Sequence, residues 1–103
     1  MLTIKKHPLV AVDFRSAFDW YEDQRPGLGL EFAADFRLAY LRLRHGPQLY
    51  AVRFDRVRRL NLERFPYGIF YVAVENEVCA LAILHASRDT EDILNERRQS
   101  FLR

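Results

Sequence analysis

The sequence predicts an α+β fold: a short N-terminal strand and a helical hairpin packed on a twisted, mainly antiparallel sheet, with a C-terminal helix. Three observations carry that expectation. Apolar residues recur at helical spacing up to position 45. After position 47 the period changes to two. Helical spacing then returns only in the tail, from about Thr90 to Leu102.

Residues 2–7 alternate weakly and predict a short edge strand. Pro8 suits a first helical turn, where its missing N–H costs nothing. Val10, Phe14, Ala17, Phe18 and Tyr21 then form one helical face, with Asp13, Asp19 and Asp23 read as lying off it. Pro26-Gly27-Leu28-Gly29 breaks the helix. A second helix is expected over 29–45, with Phe32, Ala33, Phe36, Tyr40 and Leu43 as its stripe and His45-Gly46-Pro47 as its stop. So short a break favours an antiparallel hairpin.

Arg58, Leu60 and Leu62 alternate with Arg59, Asn61 and Glu63, which predicts a half-buried strand. Ile69 to Val74 is apolar on both faces, as a central strand should be. Glu75-Asn76-Glu77 reads as a tight turn, with Asn76 the residue that tolerates positive φ. Val78 to His85 is a second two-faced apolar strand, and Pro66 belongs at the start of the strand it precedes. In the tail, Ile93, Leu94, Arg97 and Leu102 can share one helix side, with Asp89 or Thr90 as the cap.

One domain spanning 1–103 is expected from the length. Such a chain buries roughly 60–70% of its unfolded surface, enough for a core without staples. Cys79 is the only cysteine, so no intrachain disulfide can form, and its apolar strand context predicts a buried, inert thiol. The first residues lack the apolar core of a signal peptide, and no run reaches membrane-spanning length. A cytoplasmic location without membrane contact is the expectation.

The net charge of +2 hides an uneven distribution. Arg37, Arg42, Arg44, Arg53, Arg56, Arg58, Arg59 and Arg64 face only Asp55 and Glu63 in the same stretch, while acids gather earlier, at Asp13, Asp19, Glu22, Asp23, Glu31 and Asp35. Arginine offers a planar, permanently charged fork for carboxylates and phosphates. The segment therefore points to an acidic or polyanionic partner, or to a solvated charged face.

Independent enzyme chemistry finds little support. Ser16, Ser87 and Ser100 lack an evident base and orienting acid. Gly27 and Gly29 follow no strand, so they form no phosphate loop. His7, His45 and His85 are scattered, without paired ligand spacing. No cofactor and no metal are expected. His85 and Arg88 do sit where a strand leaves the sheet, where a side chain can project from a rigid scaffold. They read either as a histidine bonded to backbone and an arginine paired with Asp89 or Asp92, or as a functional pair.

One segment is more specific. Arg64-Phe65-Pro66-Tyr67-Gly68-Ile69-Phe70-Tyr71 is followed by a strand ending His85-Ala86-Ser87-Arg88. Together with Trp20-Tyr21-Glu22, Pro26-Gly27-Leu28-Gly29 and Phe32 upstream, this order resembles the RelE/ParE toxin family of type II toxin–antitoxin modules, more its ParE branch. The resemblance covers nearly the whole chain and implies the same fold as the periodicity.

In RelE-type members it implies cleavage of ribosome-bound mRNA, with Arg88 and His85 the catalytic candidates here. Arginines and lysines would stabilise the phosphorane, and a basic or aromatic group would move protons. This chain departs from that pattern: Gly68 stands in place of an arginine, no lysine follows Lys6, and no tyrosine follows Tyr71. The ParE branch implies instead a binding protein that poisons DNA gyrase and is associated with plasmid stabilisation. Its candidate surface for target or antitoxin is Arg56, Arg58, Arg59, Arg64, Arg88, Arg97 and Arg98. The family's tail arginine usually follows a Trp, where this chain has Ile93. The implied partners are a cognate antitoxin, DNA gyrase, and DNA only through the antitoxin complex; a homodimer stays open. The alternatives are a RelE-like endonuclease and a non-toxic module that binds its antitoxin. Trp20, Tyr21, Phe65 and Tyr67 are read as packing residues.

Overall fold

The structure, a computed structural model, describes residues 2–101. The elements are β1 (Thr3–Lys6), α1 (Leu9–Gln24), α2 (Leu28–His45), a 3₁₀ turn (Pro47–Leu49), β2 (Val52–Phe54), β3 (Val57–Asn61), β4 (Tyr67–Val74), β5 (Glu77–His85) and α3 (Glu91–Phe101). They build one five-stranded sheet in the order β1-β5-β4-β3-β2. Only β1 runs parallel to its neighbour, with Thr3 opposite Glu77 and Lys6 opposite Ala80. The α+β class, the hairpin and the mainly antiparallel sheet agree with the sequence; Leu102 lies outside the described residues.

The hairpin turns on Gly27, at φ 88. The Glu22 carboxylate accepts the amides of Gly27 and Gly29, at 3.1 and 2.8 Å. A Cβ on Gly29 would stand 2.8 Å from the Phe18 carbonyl oxygen, so glycine lets the helices approach here. Phe32, Ala39 and Leu43 of α2, with Ala17 and Tyr21 of α1, pack on Leu60, Ile69, Tyr71 and Val78 of the sheet. The buried Tyr71 hydroxyl donates to the Pro47 carbonyl at 2.6 Å, and burial pushes its phenol up to about 12. Of the two adjacent aromatics expected to pack on α1, only Tyr21 does. Trp20 is 57% exposed, its ring edge-on to Tyr21.

The sheet's second face carries Val57, Phe70, Val72, Leu81, Ala82 and Leu84, and α3 lays the buried Leu94 on it. The pairing of β4 with β5 slips between Phe70 and Tyr71, so Leu81 and Ala82 both face α3 while Ala80 and Ile83 face α1. Cys79 is buried, and that burial raises its thiol pKa.

Two expectations need correction. Strand β2 has no counterpart in the periodicity: three residues, mostly exposed, carry no core signature. Its turn to β3 holds Asp55 and Arg56 at φ 43 and 70, a two-residue hairpin that ordinarily announces itself with a glycine. In the β4–β5 turn it is Glu75, not Asn76, that adopts positive φ, at 55°. At α3, of the two caps expected, Asp89 Oδ1 accepts the Glu91 amide at 3.5 Å, while Thr90 supplies only its carbonyl, to Leu94.

Candidate binding groove

Helix α3 packs over β5 and leaves the β3 side of the second face open. Alternation along β3 sends Leu60 into the hairpin-side core and Arg59 to this open face, beside Phe70 of β4. Arg59 is held in place from three sides. Its stem crosses Gly68, where an added Cβ would stand 2.6 Å from Nε. Nε donates to Asn61 Oδ1 at 2.6 Å, and the guanidinium lies 5.2 Å from the Phe70 ring centroid. Gly68 makes room for the Arg59 side chain from the neighbouring strand.

Arg59 sits between two connected depressions. One, of about 320 Å³, is lined by Arg53, Phe54, Arg59, Phe70, Arg88 and the start of α3. The other, of about 350 Å³, runs past Asn61 and Arg64 to Tyr67 and shares Arg59 and Ala86 with the first. The guanidinium groups of Arg53 and Arg88 have no hydrogen-bond or ion-pair partner among the described residues. Desolvation, then the charge of Arg53, holds the Arg59 pKa below its ordinary value. Asp89 and Glu91 rim one end and Glu63 the other. No histidine lines either depression.

The remaining candidates fall in different places. Arg56 is exposed at the β2–β3 turn. Arg58 points the other way and donates to the Tyr50 and Gln48 carbonyls, at 2.7 and 3.3 Å. Arg64 reaches Glu31 at 2.8 Å, and Arg25 reaches the same carboxylate's other oxygen at 2.8 Å. These two cations hold the Glu31 carboxyl below its ordinary range, Arg64 foremost. Arg98 pairs with Asp55 across the β2–β3 turn. His85 accepts from the Ser87 amide at 3.1 Å, lies 2.8 Å from the Ser87 hydroxyl, and stands edge-on to Tyr67. Arg88 has neither of the acid partners considered for it, Asp89 or Asp92. Arg97 is not a surface arginine: its side chain and that of Asp13 are 12% and 11% exposed, paired at 2.5 and 3.1 Å.

That pair also completes the edge of the sheet. Strand β1 covers β5 only as far as Ala80. Beyond it the edge of β5 is completed by side chains: Ile83 N–H donates to Asp13 at 3.0 Å and Arg97 donates to the Leu81 carbonyl at 3.2 Å. Asp35, 4% exposed, likewise accepts the backbone amides of Arg64 and Phe65 at 2.9 and 3.1 Å, fixing the loop that leads into β4. The hairpin's acids are therefore not simply an outer charged face. Spacing could have found both: Asp13 lies three residues after Val10 and four before Ala17, and Asp35 stands likewise between Phe32 and Ala39, within the buried arcs.

On the hairpin side, a cleft of about 510 Å³ between α1, α2 and the sheet is lined by Val10, Phe14, Phe36, Ala80 and Ile83, with Lys6 at its rim. Among the described residues no group of histidine, cysteine and acidic side chains could hold a metal ion. No helix there is long and apolar enough to cross a membrane.

A hairpin packs on one face of the mixed sheet, and an arginine-lined groove opens on the other. Comparison with known proteins gives the class. The family model described as the ParE toxin of the type II toxin–antitoxin system parDE matches residues 4–90, and the chain belongs to that family. The fold is also similar to a solved chain titled as the chromosomal ParDE toxin–antitoxin system from P. aeruginosa, with TM-score 0.68 and 21% identity, covering 84% of this chain and 98% of that one. No functionally curated protein matches the sequence.

Proposed function

We propose that this chain is the toxin of a type II module, inhibiting DNA gyrase by protein–protein contact and neutralised by a cognate antitoxin. The observation that carries this reading is family membership over residues 4–90, on a fold whose groove gathers arginines without a histidine or lysine to move protons. Each missing electrostatic or proton-transfer group typically costs about 10²-fold or more in rate. A binding role makes no such demand.

The direct test adds purified protein to gyrase and follows supercoiling and DNA breakage, beside a ribosome-dependent mRNA cleavage assay. Inhibition or breaks in the first, with no cleavage in the second, is the expected result. Site-specific mRNA cleavage with gyrase unaffected would transfer the protein to the endonuclease reading. Expression alone should arrest growth, and co-expression of the partner should relieve it.

The antitoxin would offer an acidic, amphipathic segment that folds on binding over the sheet side. Arg56, Arg59 and Arg64 would fix its register through charge-assisted bonds. Removing one partner of such a pair often costs about 2–5 kcal/mol. Charge reversal at Arg59 and Arg64 should weaken the complex well over tenfold, whereas reversal at the exposed Asp19 and Asp23 should not.

A further inference from the structure

We propose that Arg53, Arg59 and Arg88 form a site for a phosphoryl group, a ligand that neither gyrase contact nor antitoxin neutralisation requires. The argument begins with what the three side chains lack. Arg25, Arg64, Arg97 and Arg98 each meet a carboxylate. Arg53 and Arg88 meet none, and Arg59 bonds through Nε to a neutral amide, leaving its two terminal nitrogens without a partner among the described residues. Three like charges converging on one depression repel one another, and a groove that partly desolvates Arg59 strengthens that repulsion. Asp89 and Glu91 line the same depression without bonding these guanidinium groups, so an excess of positive charge is left that an external anion would balance.

Its chemistry follows from number and geometry. A single carboxylate carries one charge and offers two oxygens, so it engages at most about two guanidinium groups, as Glu31 does with Arg25 and Arg64. A phosphoryl group carries up to two charges and accepts from several directions, which suits three arginines approaching from β2, β3 and the β5–α3 loop. The acids at both ends of the groove, Asp89 and Glu91 on one side and Glu63 on the other, oppose a long run of negative charge and restrict the site to about one group. Arg59 is preorganised to receive such a ligand, because Gly68, Phe70 and Asn61 hold its stem and Nε while the outer edge of the fork remains free.

The test is calorimetric titration of the chain with inorganic phosphate, pyrophosphate, ADP, a single-stranded DNA hexanucleotide and a glutamate hexapeptide. One equivalent of at least one phosphorylated probe should bind. The affinity should fall at least tenfold in Arg59→Ala and Arg88→Ala but stay within twofold in Arg56→Ala, whose arginine lies outside the groove. Gly68→Ala keeps every charge yet displaces Arg59, and it too should lose about tenfold. Tighter binding of the hexanucleotide than of ADP would identify a nucleic-acid phosphate as the source, and the reverse order a free nucleotide. The proposal is overturned if no phosphorylated probe binds at millimolar concentration. Equal losses in Arg56→Ala and Arg88→Ala would overturn it as well, and so would a glutamate peptide that binds as tightly with the same residue dependence. Thermal melts of each variant separate loss of the site from loss of the fold, and gyrase inhibition is scored independently.

Discussion

The two faces of the sheet hold similar chemistry arranged to opposite ends. Around the helical hairpin, four carboxylates are each engaged: Glu22 on the α1–α2 turn, Asp13 on the β5 edge, Asp35 on the loop before β4, Glu31 between two arginines. On the other face Arg53 and Arg88 turn outward with no partner among the described residues. A buried group that completes backbone hydrogen bonds contributes stability, because removing it strands the donors it served. An exposed cation without a partner contributes little of that kind. Both faces carry a core, but only the second leaves arginines without acid partners beside it.

The comparison is broken most severely at Asp13. Asp13→Ala would leave Arg97 as an uncompensated, nearly buried charge, free the Ile83 amide and loosen α3 from the β5 edge. Breaking a buried pair by removing one partner costs about 3–5 kcal/mol. Thermal unfolding should register on the order of 15 °C or more for a chain of this size. A drop of only a few degrees would mean that the β5 edge is not held by this pair. The double variant Asp13→Leu with Arg97→Met removes both charges and should recover much of the loss.

Asp35 comes next. Asp35→Ala strands two backbone amides in a nearly dry setting, at a cost of about 2–3 kcal/mol. Asp35→Asn keeps one acceptor oxygen and should lose about half as much. Because this carboxylate sets the loop from Arg64 to Pro66, amide exchange in that loop should quicken in Asp35→Ala while exchange in the β4–β5 core stays slow. Uniform quickening would show that Asp35 serves global stability only.

What is legible in the sequence follows the same division. Periodicity exposes side chains that bury themselves, so both hairpin helices and the two central strands are readable from their stripes. The pairings Gly68–Arg59 and Asp13–Arg97 are not readable, because each joins elements whose register no local pattern encodes. Strand β2 escapes for a related reason: its partner β3, rather than its own residues, makes it a strand. The β5 bulge is hidden within a run so apolar that either register looks equally good. The candidate arginines are recognisable as a group, yet sequence alone does not sort Arg58 and Arg97, which satisfy backbone and a buried acid, from Arg59 and Arg88, which remain available.

The smallest expected effect on stability is the sharpest test of the outward face. Arg53→Ala and Arg88→Ala remove long, exposed side chains that pair with nothing among the described residues. Surface substitutions of that kind stay within about 0.5 kcal/mol. The sign carries the information. If the groove is a charge cluster kept for an external anion, each truncation relieves repulsion of Arg59 and should raise the denaturant midpoint slightly at low ionic strength. That gain should vanish as added salt screens the cluster, since exposed charges lose most of their interaction beyond a Debye length of about 8–10 Å near physiological ionic strength. A salt-independent loss in both variants would place these arginines with Arg97, as parts of the fold.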